Sequence, residues 1–388
     1  MKGLRKIIYP FAPDQSGAAA VFYELGGMII ICDAGGCAGN ICGFDEPRWF
    51  RKKSAIFSAG LRDMDAILGR DDLMIEKIKA AAGKLDASFV AIIGTPVPAT
   101  IATDYHAIKR MGEKRIGLPV VTVDTNGALL YDSGIEKAYM ALFDRFAKDV
   151  TGEEIIPGAV GVLGATPLDT DSLDAFEKIR ASLMQQGASK VICYGEGMMA
   201  DADQSTGQIC GLKAFEQAGR VEKNIVIAPA GLKAARMLKE RFGTPFEYAD
   251  PMIDEVWESI TAQLGDTDLS GKKILIMHQQ IRANAIREKI RGTVGRKETG
   301  AAEAGTAEIK VATWFKPIRE CREPGDLHIR EEDEFIALFK ENYDIVIADE
   351  SFKKAARGFE GRWISLPHFA VSGDMGEETI VAPRFYGA

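Results

Sequence analysis

The sequence lacks an apolar segment long enough to cross a membrane. Its apolar runs, such as Met28–Cys32 (MIIIC), are only a few residues long, whereas a membrane-spanning helix needs about 20 apolar residues. The N-terminal segment MKGLRKIIYPFAPDQSG starts with basic residues but has no apolar stretch typical of a signal peptide. We therefore expect a cytoplasmic protein, in which the six cysteines are free thiols.

Several common catalytic and binding motifs are also missing. The chain has no G-x-x-x-x-G-K-[ST] phosphate-binding loop, so we do not expect it to hydrolyse ATP itself. Its four histidines show no metal-binding spacing such as H-E-x-x-H, and no G-x-S-x-G nucleophile elbow is present. The net charge of −8 argues against nucleic acid as a partner, because proteins that bind it concentrate positive charge.

Short apolar runs alternate with helix-length amphipathic segments along the whole chain. This alternation predicts an α/β fold, with Rossmann-like units in which helices cover both faces of parallel sheets. The predicted strands are Gly27–Cys32, Phe89–Gly94, Pro119–Asp124, Ala159–Leu163, Lys190–Tyr194, Asn224–Ala228, Lys273–Met277, Lys310–Trp314 and Tyr343–Ala348. The predicted helices include Asp71–Ala82, Ile135–Ala147, Ser172–Gln186, Gly231–Phe242, Ile281–Ile290 and Glu332–Asn342.

Two polar, turn-rich stretches interrupt this rhythm. They are KDVTGEEIIP, which ends at Pro157, and GDTDLSGK, which ends at Lys272. We interpret both as linkers, and we predict a third irregular stretch, Gly292–Thr306, to be a mobile loop. The sequence then predicts three Rossmann-like domains, over residues 1–155, 156–270 and 271–388.

Three of the six cysteines, Cys32, Cys37 and Cys42, lie within eleven residues. Cys37 follows a predicted strand after Gly35 and Gly36, and the carboxyl ends of parallel strands are where α/β sheets bind their ligands. The two glycines allow backbone amides to approach a bound group closely. Cys32, at the strand end, also fits the alternative of a small buried apolar residue. The C-x4-C-x4-C spacing itself matches no ferredoxin or zinc site.

The residues from Cys32 to Cys37 read Cys-Asp-Ala-Gly-Gly-Cys. They resemble the His-Gly-Pro-x-Gly-Cys stretch that carries a cluster-ligating cysteine in nitrogenase component 1 subunits, with the final Gly and Cys matching. Further segments resemble that family in order along the chain, with the greatest specificity in the first predicted domain. They are Ser58–Leu73, Phe89–Asp104, Pro119–Asp132 and Asn224–Phe242, the last followed by Gly243-Thr244-Pro245.

The resemblance implies a subunit of an oxygen-sensitive iron–sulfur oxidoreductase. The superfamily includes nitrogenase, the light-independent protochlorophyllide and chlorophyllide reductases, and the nickel-sirohydrochlorin reductive cyclase. Its members take electrons from a separate ATP-dependent iron protein. We therefore expect a [4Fe–4S] cluster at a subunit interface and an iron protein as the partner. The substrate stays open between a tetrapyrrole, an organosulfur compound and another multiple bond.

The ligand set is thinner than the family's. The family's first cluster cysteine would lie in Tyr9–Gly17, which has none, and its last would lie at Pro96. A [4Fe–4S] cluster needs four ligands. Across a two-fold axis, Cys37 with Cys42, or with Cys32, would supply two from each subunit. In a heterodimer, Cys37 would instead join three partner cysteines. The resemblance also allows Asp33 or Asp14 as an oxygen ligand, and it places Gly35, Gly36 and Asp33 around the cluster.

The residues that lie at the active site in this family match the sequence less well. The family's active-site cysteine falls at Ala228, so we do not expect dinitrogen reduction. His368, in LPHFAVSGD, resembles the family's C-terminal histidine, and we predict that it contacts substrate; a capped turn histidine is the alternative. Two other functions remain open. One is a non-catalytic scaffold or companion subunit, and the other is a metal-free α/β ligand-binding protein.

Overall fold

The fold consists of three sheets whose paired strands all run parallel, with helices packed against them. A computed structural model describes residues 5–52, 54–150, 154–197, 208–298 and 306–370 of the chain. The predicted α/β class is confirmed. Among the described helices, none is both long enough and apolar enough to cross a membrane.

The first sheet has the strand order β2-β1-β3-β4. Its two central strands are fully buried, and Met28 to Ile31 of one pairs in register with Val90 to Ile93 of the other. The strands are β1 (Met28–Ile31), β2 (Ala55–Ser58), β3 (Val90–Ile93) and β4 (Val120–Val123). The helices are α1 (Asp14–Phe22), α2 (Gly36–Asn40), α3 (Asp63–Leu68), α4 (Asp71–Ala82), α5 (Pro96–Thr100), α6 (Tyr105–Ile116) and α7 (Tyr131–Phe146).

Helices α1 and α7 pack backbone against backbone. A Cβ atom added at Gly17 would lie 1.9 Å from the Tyr131 carbonyl oxygen, and one added at Gly134 would lie 1.7 Å from the Asp14 carbonyl oxygen. Only glycine fits at such an approach. The two glycines therefore fix the position of Tyr131, the first residue of α7.

The second sheet has the strand order β6-β5-β7-β8. Its centre is the apolar strand β5, which pairs with β6 on one side and β7 on the other. The strands are β5 (Ile156–Leu163), β6 (Lys190–Cys193), β7 (Val221–Val226) and β8 (Phe246–Tyr248). The helices are α8 (Pro167–Thr170), α9 (Ala175–Gln185), α10 (Leu212–Glu216) and α11 (Leu232–Phe242).

The third sheet has the strand order β11-β10-β9-β12-β13. The strands are β9 (Lys273–Met277), β10 (Glu308–Thr313), β11 (Leu327–His328), β12 (Ile345–Ala348) and β13 (Arg362–Ser365). The helices are α12 (Ile253–Leu264), α13 (Gln280–Glu298) and α14 (Glu332–Leu338). Although α12 precedes the predicted linker at Gly265–Lys272, its Ile260 and Leu264 pack with Ile274 of strand β9 and Ile286 of helix α13.

The predicted mobile loop Gly292–Thr306 needs correction over its first part. Helix α13 continues through this segment as far as Glu298. Ile290 and Val294 are both buried, and their spacing of four residues keeps one apolar face on the core. The described residues do not include 299–305.

One apolar cluster runs through all three sheets. It contains Ile31 and Phe143 near the first sheet, Leu163 near the second and Leu275 near the third. Where the three sheets meet, the Tyr131 and Phe315 rings lie 5.1 Å apart, centroid to centroid. The junction between the sheets is therefore packed core.

Candidate functional site

Cys37 lies at the carboxyl edge of the first sheet. Strand β1 ends at Ile31, and the chain turns at Gly35, which has a φ of 123° that favours glycine, before α2 begins at Gly36. The Cys37 thiol is half-buried and lies within hydrogen-bonding reach of the Thr95 hydroxyl, next to the end of β3. Cys37 thus lies just beyond the end of a strand, as the sequence predicts.

Asp33 holds the loop that carries Cys37. Its Oδ1 accepts a hydrogen bond from Ser58 Oγ at 2.6 Å, and its Oδ2 accepts one from the Ala38 backbone N–H at 2.8 Å. The side chain is buried, so these bonds tie β2 and α2 to the end of β1. Both oxygens are thereby engaged in fixing the loop, which favours a supporting role over direct ligation.

Asp14, the other candidate oxygen ligand, is similarly committed. Its Oδ1 accepts from the Gly127 N–H at 2.7 Å and from the Gln15 N–H at 3.0 Å, and its Oδ2 accepts from the Asn126 N–H at 3.1 Å. The residue is fully buried. Its side chain joins the first turn of α1 to the backbone of Asn126 and Gly127, which leads into α7.

The glycines beside Cys37 leave bare backbone on an open face. A Cβ atom added at Gly36, Gly39 or Gly43 would meet no atom within 4 Å. The exposed side of α2 and the turn after it therefore carries very little side-chain bulk. Such a surface allows backbone amides to approach a sulfide-rich group.

Cys42 lies in a π-helical turn, Ile41–Asp45, directly after α2. Turns of this kind are frequent at functional sites. Asp45 anchors this one by accepting hydrogen bonds from Ser16 Oγ at 2.7 Å and Asn40 Nδ2 at 3.1 Å. Cys42 is half-buried; after burial itself, the charge of Glu46 raises the pKa of Cys42, whereas the charge of Asp33 raises that of Cys37. The two thiols therefore lie in separate local environments of one short segment.

Cys32 packs on the opposite face of the first sheet from Cys37. Its thiol lies 3.8 Å from the Met74 sulfur, in an apolar cluster with Met28 and Ile30. Alternate residues of a strand point to opposite faces, so Cys32 shares the face of those residues, while Cys37 packs with the cluster that contains Ile31. The structure does not bring Cys32 and Cys37 together, and its placement favours a packing role for Cys32.

All three thiols resist ionisation. Burial raises the pKa of Cys32 to about 12 and that of Cys42 to about 11, and it raises the pKa of Cys37 as well. Because cysteine binds metal as the thiolate, each ligand must lose a proton when a cluster is inserted. Among the described residues, no group of three or more His, Cys, Asp or Glu side chains could hold a metal ion. The described part of one chain therefore offers fewer than the four ligands that a [4Fe–4S] cluster needs.

Exposed apolar side chains surround this edge of the sheet. They occur after the ends of β1, β3 and β4, as well as in β2 and on α3 behind it. Exposed apolar side chains that lie together are typical of surfaces that bind a partner. The exposed fractions are 55% for Phe44, 40% for Phe57, 54% for Met64, 74% for Ile67, 38% for Val97, 42% for Ile101 and 46% for Leu129.

His368 lies at the junction of the three sheets. Its Nε2 is 3.3 Å from the Tyr131 hydroxyl oxygen and 3.7 Å from Asp169 Oδ1, and its backbone N–H donates to Asp349 Oδ2 at 2.9 Å. The Tyr131 hydroxyl donates to Asp169 Oδ1 at 2.6 Å. The imidazole is 3% exposed, so it belongs to a buried polar network and does not line an open cleft.

Sequence reasoning did not single out the other members of this network. His278 stacks on His368, and its Nε2 lies 3.3 Å from Asp171 Oδ2, which also accepts from Arg282 Nη1 at 2.9 Å. Cys37 was predicted as a site residue because it follows a buried strand. His278 follows the buried strand β9 in the same way and could have been found by the same reasoning. No comparable local signal exists for Asp171, which directly follows the four-residue helix α8.

The family model described as nitrogenase component 1 type oxidoreductase matches residues 14–292. The chain belongs to this family. Two solved structures have the same fold. "Nitrogenase Cp1 at pH 6.5" is 12% identical with a TM-score of 0.62, over 95% of this chain and 90% of that one. "Nitrogenase Cp1 at pH 5" is 15% identical with a TM-score of 0.61, over 95% and 85% respectively. No curated protein matches the chain.

Proposed function

We propose that this chain is a subunit of a nitrogenase-like iron–sulfur oxidoreductase, in which Cys37 helps to hold a [4Fe–4S] cluster shared with a second component 1-type subunit. The observation that carries the proposal is the setting of Cys37. A half-buried thiol stands at the carboxyl edge of a parallel sheet, beside bare glycine backbone and among exposed apolar side chains. This edge combines a metal ligand with a surface that needs a partner.

The ligand count supports a shared cluster. Four ligands are needed, and the described residues of one chain offer no set of three. A two-fold axis at this edge would bring Cys37 and Cys42 from each subunit into one site. The cluster would supply one-electron transfer, with electrons delivered by an ATP-dependent iron protein. The chain's own part is to hold the ligands in place through Asp33 and Asp45 and to exclude water from the site.

The substrate is a molecule with a reducible multiple bond, such as a tetrapyrrole or an organosulfur compound. We propose that it is reached from the junction of the three sheets, where His368 lies. Because the His368 imidazole is buried against Tyr131 and His278, substrate entry requires this junction to open. The complex would work in the cytoplasm and be sensitive to oxygen.

The test is iron and acid-labile sulfide on protein purified without oxygen, both alone and co-expressed with the neighbouring component 1-type gene. The variants Cys37→Ser and Cys42→Ser are compared with Cys321→Ser, which alters another half-buried thiol near the third sheet. We expect about four irons per dimer in the wild type and in Cys321→Ser. The cluster should be lost in Cys37→Ser. Colourless wild-type protein under both conditions would overturn the proposal.

The same experiment separates a second candidate, a companion subunit without catalysis of its own. This candidate is favoured by the small ligand set of the described residues. It predicts that iron appears only in the co-expressed heterodimer and that Cys42→Ser leaves it unchanged, because the partner supplies the other three cysteines. A metal-free ligand-binding protein would instead show no iron in either sample and no effect of Cys37→Ser.

A further inference from the structure

Residues 5–13, which precede helix α1, form a strap that lies against elements of the third sheet. Ile8 and Phe11 are buried, whereas Lys6 and Tyr9 are exposed. The strap is thus a surface segment that is attached through only part of its length. It connects the first sheet, to which α1 belongs, with the third sheet.

The carboxyl group of Glu332, the first residue of α14, holds one end of the strap. Its Oε2 accepts a hydrogen bond from the Lys6 backbone N–H at 2.8 Å, and its Oε1 accepts from the Ile7 N–H at 2.8 Å and the Ile8 N–H at 2.9 Å. Hydrogen bonds to a charged acceptor are stronger than those to a neutral one. A single side chain therefore fixes three consecutive residues of the strap.

Phe11 is the apolar anchor of the strap. Its ring centroid lies 5.5 Å from that of Trp314, 5.1 Å from that of Phe315 and 6.0 Å from that of Phe352. Trp314 and Phe315 follow strand β10, and Phe352 follows strand β12. The strap is therefore bound to the third sheet at two points, through Glu332 and through Phe11.

Ala12 connects the strap to the junction of the three sheets. Its N–H donates to the Ala370 carbonyl oxygen at 2.7 Å, and its own carbonyl oxygen accepts from the Tyr131 N–H at 2.9 Å. Ala370 lies two residues beyond His368, and the Tyr131 hydroxyl oxygen is 3.3 Å from His368 Nε2. The strap therefore bonds both chain segments at this side of the buried polar network, and the two segments cannot separate while Ala12 stays in place.

We propose that the strap controls the opening of the three-sheet junction. When the strap leaves Glu332, Ala12 loses its contact with Ala370. The side of the junction that carries His368 then becomes accessible to a small molecule. The proposal rests on the function proposed above, in which substrate is reached through this junction, and it identifies the segment that must move.

The position of the Glu332 hydrogen bonds allows such a movement. Lys6 is exposed, so water can replace the bonds of the strap amides when they are released. Surface segments with few buried contacts open locally at a lower free energy than the core does. The first and third sheets stay joined meanwhile, because the Lys316 N–H donates to Asp132 Oδ2 at 2.7 Å without involving the strap. Release of the strap therefore loosens the junction without unfolding it.

The test is hydrogen–deuterium exchange, followed by mass spectrometry of overlapping peptides, on wild-type protein and on Glu332→Ala purified in the same way. We expect exchange of the strap amides to rise about tenfold or more in the variant, because three hydrogen bonds are lost. The amides of His368 and Phe369 should also exchange faster. They donate to Asp349 and Asp171 and not to the strap, so their exchange reports the opening of the junction itself.

Glu334→Ala is the matched control for Glu332→Ala. Glu334 lies on the same helix, but its carboxyl group accepts from the Arg330 and Glu331 amides and not from the strap. This variant should leave exchange at His368 unchanged. A rise in Glu332→Ala that is confined to the strap would overturn the proposal, and so would an equal rise at His368 in Glu334→Ala.

Circular dichroism checks that each variant folds. If Glu332→Ala does not fold, Glu332→Gln takes its place; it removes the charge but keeps one acceptor oxygen, so the same amides should exchange faster by a smaller factor. The exchange experiment does not require iron, so the two proposals fail separately. Faster exchange at His368 in protein that never binds iron would sink the reductase function and leave the role of the strap. A bound cluster with unchanged exchange at His368 would do the reverse.

Discussion

His278 and His368 stack face to face, with ring centroids 4.0 Å apart and ring planes inclined by 20°. His278 follows the central strand β9, and His368 follows the edge strand β13, so the stack closes one end of the third sheet. Tyr131, at the start of α7, meets His368 from the first sheet with a ring-centroid distance of 6.0 Å. The two stacked imidazole rings therefore connect the ends of β9 and β13, which are distant in sequence.

Lowering the pH should destabilise the protein through His278. Burial, His368 and Arg282 hold its pKa well below the usual value, so the folded protein leaves this imidazole neutral while the unfolded chain protonates it below about pH 6.5. The unfolded state then binds more protons, and stability falls as the pH drops below 6.5. The slope for one such group reaches about 1.4 kcal/mol per pH unit.

Nitrogen-15 NMR of labelled histidine would measure this directly. The His278 resonances, assigned by their loss in His278→Gln, should keep the neutral pattern at pH 5.5 in the folded protein and titrate normally in urea. A His278 ring that protonates near pH 6.5 in the folded state would contradict the prediction.

Replacing Tyr131 by phenylalanine should destabilise the junction. The Tyr131 hydroxyl is the donor to Asp169 Oδ1, and Asp169 Oδ2 has no hydrogen-bond partner among the residues that the structure describes. Removing the hydroxyl leaves a buried carboxyl without a donor, which costs about 1–3 kcal/mol. Urea denaturation measures the change.

Tyr248→Phe is the matched control for Tyr131→Phe. The Tyr248 hydroxyl donates to Glu320 at 2.9 Å at the surface, where water replaces the lost bond. Its loss should change the free energy of unfolding by no more than about 0.5 kcal/mol. If both substitutions lowered the free energy of unfolding equally, the buried network at the junction would stabilise the protein no more than the surface hydrogen bond does.

The central strands and two of the edge strands, β4 and β6, could be read from the sequence, whereas the other four edge strands could not. Lys273–Met277 was predicted with the bounds it has in the structure, because a strand buried on both faces is a continuous apolar run. None of the edge strands β2, β8, β11 and β13 was predicted. They are partly exposed, and Arg362 and Glu247 interrupt their apolar pattern.

Long-range packing set the other limits. The pattern of α12 gave no sign that it packs on the third sheet, since its partners Ile274 and Ile286 follow the polar stretch taken as a linker. The domain boundaries stay a prediction for the same reason. Cys37 could be placed because a strand end is a local feature. The contacts of Asp171 with Arg282 and Phe369 could not be predicted, because the three residues come from distant segments.

Alkylation should distinguish the three clustered cysteines. With folded, iron-free protein at pH 8, iodoacetamide should modify Cys37 and Cys42, which are half-buried, but spare Cys32, which is 2% exposed and has a pKa of about 12. Raising the pH to 9 should increase the rates at Cys37 and Cys42, because the thiolate is the reactive form. Peptide mapping after timed quenching gives the rates, and unfolding in urea should expose Cys32. Native reactivity of Cys32 equal to that of Cys37 would contradict its placement in the core.

Two glycine substitutions should separate packing from cluster binding. Gly17→Ala places a Cβ atom 1.9 Å from the Tyr131 carbonyl oxygen, so α1 and α7 must move apart at a cost of about 1–3 kcal/mol or more. Gly36→Ala meets no atom within 4 Å and should change stability by less than about 1 kcal/mol.

The iron content of the same variants tests the site. If a cluster lies against the bare backbone beside Cys37, Gly36→Ala should lower iron per dimer although the protein folds normally. Gly219→Ala is unsuitable as a control, because its added Cβ atom would lie 2.5 Å from Val150. Gly187→Ala is also unsuitable, because Gly187 has a positive φ that alanine rarely adopts. Gly292→Ala, with open space and helical backbone, is the suitable control and should retain full iron. Full iron in Gly36→Ala as well would contradict a cluster that lies against this backbone.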